Sequence, residues 1–342
     1  MKTRTTAHFF VGLAIFVLLL AGCQQGSGPK GEEGKGLTKV TYRLKWLFNA
    51  STAGDLWAKE KGIFQQHGLD VDLKEGGAEQ DAIEEIELGR AQFGVASADQ
   101  VLRAVSKGAD VLVLAQIFQV NPLQWIYMKS RLNIEPGSKA SLKSVLEKAT
   151  VGITYGGNDE AIFMALAKSL GLDPSRLHTY AITYDYSPFW QGKVQLWPCY
   201  RNTQGIALAE KMREMNDRAG FVNPADYGIR FVANSLVTSK RFAKEHPQVV
   251  KAFTAALMEG WARALQDENL KDMVAILARY EKTLEPGIIE EQIRATKPLV
   301  VPKDQKPLGY IDKKAWKQTE KVMFQEGLLS KRVEVEELFV CR

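Results

Sequence analysis

A few short clusters in this 342-residue chain hold the side chains whose types and spacing suit work on a small molecule. Trp46, Phe48, Asn49 and Thr52 follow a β-rich run that opens at Val40, and Ser97 follows the apolar run Phe93-Gly94-Val95-Ala96. Tyr155-Gly156-Gly157-Asn158-Asp159 closes a second β-rich run from Val151. Trp197-Pro198-Cys199-Tyr200-Arg201-Asn202 ends a third from Val194, with Trp190 just ahead of it. Aromatic rings stack on planar solutes, amides and hydroxyls orient them, and a guanidinium forks onto carboxylate, phosphate or sulfonate. Paired glycines ahead of a helix let backbone N–H groups face an anion or a carbonyl. Bond-making sets are missing. No Ser/His/Asp or Cys/His arrangement is evident, His8, His67, His178 and His246 are scattered without metal spacing, and there is no Gly-x-x-x-x-Gly-Lys-Ser/Thr phosphate loop. The pattern favours binding over catalysis, with no metal and no cofactor expected.

Each cluster also has a plainer reading. Trp46 is either a core aromatic or a stacking platform, and its place at the carboxyl end of a strand favours the platform. Gly156-Gly157 is either a tight turn or an anion-facing turn, and Asn158 and Asp159 serve equally as helix N-caps. Trp190 and Trp197 both fit a core, whereas Tyr200 follows a proline break at a strand end. Arg201 is either an anion anchor in a cleft or a surface arginine paired with Glu210 or Asp159.

The elements that position these clusters alternate. Strand signals at Val40 to Trp46, Val71 to Leu73, Phe93 to Ala96 and Val111 to Ala115 are separated by helical stretches at Gly54 to His67, Asp81 to Leu88 and Gln100 to Lys107. Trp125 to Met128 then begins a crossing. A second unit opens at Val151 to Tyr155 and continues through Leu177 to Thr183, a helical stretch near Ser187 to Trp190, and Val194 to Trp197, with Phe231 to Ala233 returning as a strand. From Pro247 the chain reads as helical, over Val249 to Leu265, Lys271 to Tyr280, Gly287 to Ala295 and Lys313 to Gly327. This order predicts α/β architecture with mostly parallel sheets flanked by helices, in two lobes joined by two crossings.

Ahead of this body, Lys2 and Arg4 precede an apolar run from Phe9 to Leu20 that ends Leu20-Ala21-Gly22-Cys23. The run is shorter than the roughly 20 residues that span a bilayer, which marks a signal peptide over residues 1–22. Its close resembles a lipobox, with Cys23 as the lipidated first residue. Each lipid methylene buried in the bilayer contributes about 0.8 kcal/mol. Residues 23–37, rich in Gly, Gln and charge, read as a flexible tether. Two of the five net positive charges, Lys2 and Arg4, leave with the leader, and the remaining +3 is interleaved with acids along the chain. No concentrated basic face exists to suit nucleic acid. Cys199 and Cys341 are left as a possible disulfide pair.

Several segments carry a family resemblance. Trp46-x-x-Asn49, Gly54, Ala58-Lys59-Glu60-Lys61-Gly62-Ile63-Phe64 and Gly68-Leu69-Asp70-Val71 resemble the opening of ABC-transporter substrate-binding proteins for thiamine pyrimidine precursors, sulfonates and nitrate. Gly89-Arg90-Ala91-Gln92-Phe93-Gly94 resembles their strand entry, with Gln92 replacing the usual acid. Asn223-Pro224-Ala225-Asp226-Tyr227-Gly228, Leu236-Val237-Thr238-Ser239 and Phe253-x-x-Ala256-x-x-x-Gly260-Trp261 continue the likeness. The resemblance implies a two-lobed clamshell of the periplasmic binding protein type II kind. Residues 38–128 and 230–342 would form the first lobe, with the C-terminal helices packed on it, and 129–229 the second.

By the same resemblance the protein would be extracytoplasmic, lipid-anchored on the periplasmic side or the cell surface. It would capture a small heteroaromatic solute and deliver it to a permease energised by a separate ATPase. A fungal branch of the family is a pyrimidine synthase, but its histidine position aligns with Thr52 and its cysteine-rich stretch with Tyr227 to Phe231, so no enzyme is expected. A sulfonate- or nitrate-type binder, anchored by Arg201, and a sensing lipoprotein without transport are the alternatives.

Overall fold

The computed structural model describes residues 36–77, 79–301 and 306–339. The leader, Cys23, most of the tether and Cys341 lie outside them. The expected lipidation and the Cys199–Cys341 pairing therefore lie outside the described residues as well; Cys199 itself is buried.

In the first sheet β1 (Thr38–Arg43), β2 (Leu69–Lys74) and β3 (Phe93–Ala96) run parallel. The sequence Leu-Asp-Val-Asp-Leu-Lys of β2 shows how the chain writes a half-buried strand: Leu69, Val71 and Leu73 point inward while Asp70 and Asp72 face water. β4 (Val111–Gln116) completes the sheet through one strand from far down the chain, β10 (Ser235–Ser239), which lies between β3 and β4 and is antiparallel to both. The order is β2-β1-β3-β10-β4.

The second lobe repeats this plan. β6 (Val151–Ile153) and β7 (Thr179–Ala181) are parallel, and Leu196, just ahead of β8 (Trp197–Tyr200), bridges Val151 in parallel. β5 (Leu123–Met128) then lies between β8 and β9 (Ala219–Val222), antiparallel to both. Every residue of β5 is buried, as befits a strand covered on both faces. The first sheet is therefore mixed, and the second lobe carries a three-stranded antiparallel sheet, β8-β5-β9, beside the parallel pair β6 and β7, rather than one mostly parallel sheet. β5, expected at the end of the first lobe, belongs to the second sheet, so the crossing falls before Leu123 rather than after Met128. The physical reason is common to both departures: each crossing delivers an antiparallel strand into the other lobe's sheet, and α/β alternation does not encode strand direction.

Two further differences are local. The expected helix from Gly54 to His67 is two helices, Ala53–Glu60 and Ile63–Gln66, because Gly62 adopts a left-handed conformation at φ +69°. Phe231 to Ala233 is buried but is not a strand; pairing starts at Ser235.

The C-terminal helices do pack on the first lobe. In Pro247–Ala264, Phe253, Ala256, Leu257, Gly260, Trp261 and Ala264 form one buried face. This face meets the helix Ala53–Glu60 at very short range. A Cβ added to Gly54 would stand 2.1 Å from the Trp261 ring, and one on Gly260 would stand 2.6 Å from the Ala58 Cβ. Gly54→Ala is accordingly expected to lower the unfolding free energy by about 1–3 kcal/mol through overpacking. Gly287→Ala, whose new methyl meets nothing within 4 Å, should leave it unchanged within about 0.5 kcal/mol. Urea denaturation of both variants checks the pair.

Candidate functional site

In both lobes the carboxyl ends of the parallel strands face the same cleft, and several contacts cross it. Just after β1, Lys45 Nζ donates to Tyr200 Oη (2.9 Å) at the end of β8, and Tyr200 Oη donates onward to Asn234 Oδ1 (3.3 Å). The Trp46 ring lies 5.3 Å from that of Tyr184, which follows β7. Asn202 Nδ2 donates to Ser51 Oγ (3.0 Å) on the first lobe and to Thr296 Oγ1 (2.8 Å) on the C-terminal helix Pro286–Val300. Arg103, on the helix Ala98–Ser106, meets Glu160 at the start of the helix Asn158–Ser169 across 3.2 Å. These contacts describe a closed arrangement of the lobes.

The structure sorts the residues singled out from the sequence. Trp46, Tyr200 and Asn202 take part in the cross-cleft contacts, and Phe48 stands beside them, its ring 4.8 Å from Tyr280. Asn49 and Thr52 are occupied locally: Asn49 Oδ1 accepts from Ser51 N–H, Asn49 Nδ2 donates to the Leu47 carbonyl, and Thr52 Oγ1 donates to the Asn49 carbonyl while accepting from the Asn49 N–H. They cap the 3-10 turn Ala50–Thr52. Ser97, fully buried, likewise caps its helix through Gln100.

Gly156, at φ +81°, does turn its N–H toward a negative charge, but the charge is the chain's own Glu160 carboxylate at 3.0 Å. Asp159 Oδ2 accepts from Thr154 N–H at 2.6 Å, so it holds the turn together. Burial pushes the Asp159 carboxyl up to about 6, against the lowering effect of that hydrogen bond and of Lys45. Tyr155 is exposed, its hydroxyl paired with Thr179. Gly157 and Asn158 stand at the start of the second-lobe helix, with Asn158 buried.

One expectation does not survive. Trp197 is packed in the second lobe's own core against Tyr186 and Phe189, because β8 begins at this residue and its side chain takes the core face. Trp190 lies on the edge of that same core beneath Lys211. Arg201 pairs with neither Glu210 nor Asp159: Glu210 is taken by Arg213, and the charge Arg201 senses is Asp226 on the turn Pro224–Tyr227.

Reading the sequence missed Lys45, Asp99, Arg103, Glu160, Tyr184 and Asn234. Lys45 and Asp99 stand beside residues that were recognised, Trp46 and Ser97. Tyr184 falls between elements, where no periodicity marks a face.

Residues 49–269 match the family described as NMT1/THI5 like, and the chain belongs to it. The formylaminopyrimidine-binding protein of Halalkalibacterium halodurans is 22% identical over 335 residues, covering 96% of this chain and 97% of that protein. The riboflavin-binding protein RibY of Chloroflexus aurantiacus is 23% identical, covering 89% of this chain and 85% of that protein. Among solved structures, the alkanesulfonate-binding protein SsuA from Xanthomonas axonopodis pv. citri, bound to MOPS, superposes with a TM-score of 0.67 at 15% identity, over 90% of this chain and 99% of that one. The chain thus shares its fold with solved solute-binding proteins, among them alkanesulfonate- and nitrate-binding proteins.

The raised acids fix a pH dependence. Asp159 at about 6, and Asp55, buried under Tyr42 and pushed up to about 7, keep their protons in the folded state where an unfolded Asp has lost them above about 4. Through these two groups the folded state binds more protons, so their contribution to stability falls as pH rises from about 4 to about 7 and levels off above. Asp159→Asn should flatten the decline between about pH 4 and 6 and leave the Asp55 part up to about 7. Denaturation midpoints across that range check it.

Proposed function

We propose that this chain is the extracytoplasmic solute-binding component of an ABC importer, and that its cargo is a planar nitrogen heteroaromatic. The observation that carries the cargo class is the Trp46–Tyr184 pair, one ring from each lobe, at the facing strand ends. Opening the lobes parts these rings and offers two stacking faces; closure brings them onto a flat solute. Lys45, Tyr200 and Asn234 supply a hydrogen-bonded chain beside them. The two named relatives, whose ligands are a formylaminopyrimidine and a riboflavin, support the same chemistry.

The sulfonate or nitrate reading has less to stand on. The N–H of Gly156 that would receive an anion already faces Glu160, and Asp99 and Asp159 add buried carboxyl groups nearby. Lipidation at Cys23 and the tether that follows would hold the receptor close to its permease, raising its effective concentration there. ATP would be spent by a separate subunit, and the sensing role without transport would use the same cleft.

A thermal-shift screen of the full chain against riboflavin, 4-amino-2-methylpyrimidine, methanesulfonate and nitrate tests the cargo. A heteroaromatic at about 100 times its Kd should stabilise the protein by about 2.7 kcal/mol, and the anions should not. Trp46→Ala and Tyr184→Ala should each weaken that binding at least about tenfold, the loss expected when an aromatic anchor is removed. A shift with sulfonate or nitrate alone would refute the heteroaromatic reading. Replacing Cys23 with Ser should move the protein from the membrane fraction to the soluble one.

A further inference from the structure

The helix Pro286–Val300 carries two buried faces of different chemistry. Ile289, Ile293, Leu299 and Val300 lie in the first lobe's apolar core. Gln292 and Thr296, one turn apart, are polar yet buried, and both meet the second lobe. Gln292 Nε2 donates to the Thr203 carbonyl (3.2 Å). Thr296 Oγ1 accepts from Asn202 Nδ2 (2.8 Å) and gives its own proton to the Gln292 carbonyl one turn back (2.8 Å). Asn202 Nδ2 also reaches Ser51 Oγ on the turn Ala50–Thr52. Asn202 and Thr203 are only 0% and 2% exposed, so water is excluded from both sides of this contact. Asn202 Oδ1 is buried as well and has no partner among the described residues, so the amide holds on through its donors.

An apolar contact at this place would hold the lobes together over a range of offsets. Buried hydrogen bonds are directional and costly to leave unmade, so these are satisfied at one offset only. The contact also joins the two loops that carry the cross-cleft residues, since Asn202 follows Tyr200 on one lobe and Ser51 follows Trp46 on the other. Every group in it belongs to the chain itself. We propose that Gln292 and Thr296 are positioning residues that bolt the loop after β8 to the first lobe on closure, and so set the balance between open and closed lobes without touching the solute. The inference rests on the reading of the cleft as a two-lobed solute trap, and it is independent of the cargo. A captured solute then leaves only when the bolt opens, so the two residues act on release rather than on encounter.

X-ray scattering of the ligand-free full chain, fitted as a mixture of open and closed forms, tests this without any solute. Thr296→Val, which keeps the volume and loses the hydroxyl, should lower the closed-to-open ratio about 2- to 10-fold, the factor carried by one lost hydrogen bond, and raise the radius of gyration. Gln292→Leu should act in the same direction. Thr296→Ser, which keeps the hydroxyl, should scatter as the wild type does. A merely structural role would instead lower the urea midpoint of Thr296→Val and leave the ratio where it was. An unchanged ratio in folded Thr296→Val and Gln292→Leu overturns the proposal, and so does a wild type that scatters as wholly open. Neither result touches the heteroaromatic reading, which the thermal-shift screen decides separately.

Discussion

Two strands, β5 and β10, run against the direction of the sheets they enter, and the geometry of the cleft depends on them. Each comes from the other lobe and lies between two strands of the sheet it enters, β8 and β9 in one case, β3 and β4 in the other. The backbone is thereby threaded twice between the lobes. Neither lobe can slide or turn over without breaking a central ladder, but both can hinge about the two connecting segments. The same exchange points the carboxyl ends of β1 and β3 at those of β6 and β8, where ligands of open α/β sheets bind. The close glycine contact of Pro247–Ala264 on Ala53–Glu60 then stiffens the first lobe behind its share of the site.

What fills that cleft is polar and partly self-satisfied. Glu160 occupies the turn that an external anion would use, and Arg103 shares that carboxylate from across the gap. Lys45 serves as the shared cation of Asp99 and Asp159, one acid on each lobe. Closure thus brings acids from both lobes around a limited positive charge. A neutral or cationic ring relieves that balance, whereas an added anion worsens it. The aromatic pair Trp46 and Tyr184 stands at the same opening, one ring from each lobe.

Much of this is written plainly in the chain. Strand–helix alternation, helix periodicity after Pro247 and the placement of Trp46, Tyr200 and Asn202 at strand ends follow from pattern alone, because burial and the carboxyl-end rule act through local spacing. Strand direction does not, and so the antiparallel entry of β5 and β10 was beyond reach. A shift of strand register explains the misplacement of Trp197: a strand ending at this residue exposes it to the cleft, but β8 begins there, and alternation turns the ring into the core. Asn49, Thr52 and Ser97 have side chains equally good for ligands and caps, and only the observed partners decide. Asp99 looks in sequence like any acid in a first helical turn; its complete burial is a property of the fold.

The central claim is that one solute is gripped by both lobes at once. Hydrogen exchange of the backbone amides, with and without saturating riboflavin or 4-amino-2-methylpyrimidine, tests it most directly. The account predicts slowed exchange in the same titration at residues 45–52 and 97–101 of the first lobe and at residues 154–160 and 200–204 of the second. Protection confined to one lobe, or appearing only away from these strand ends, would contradict it.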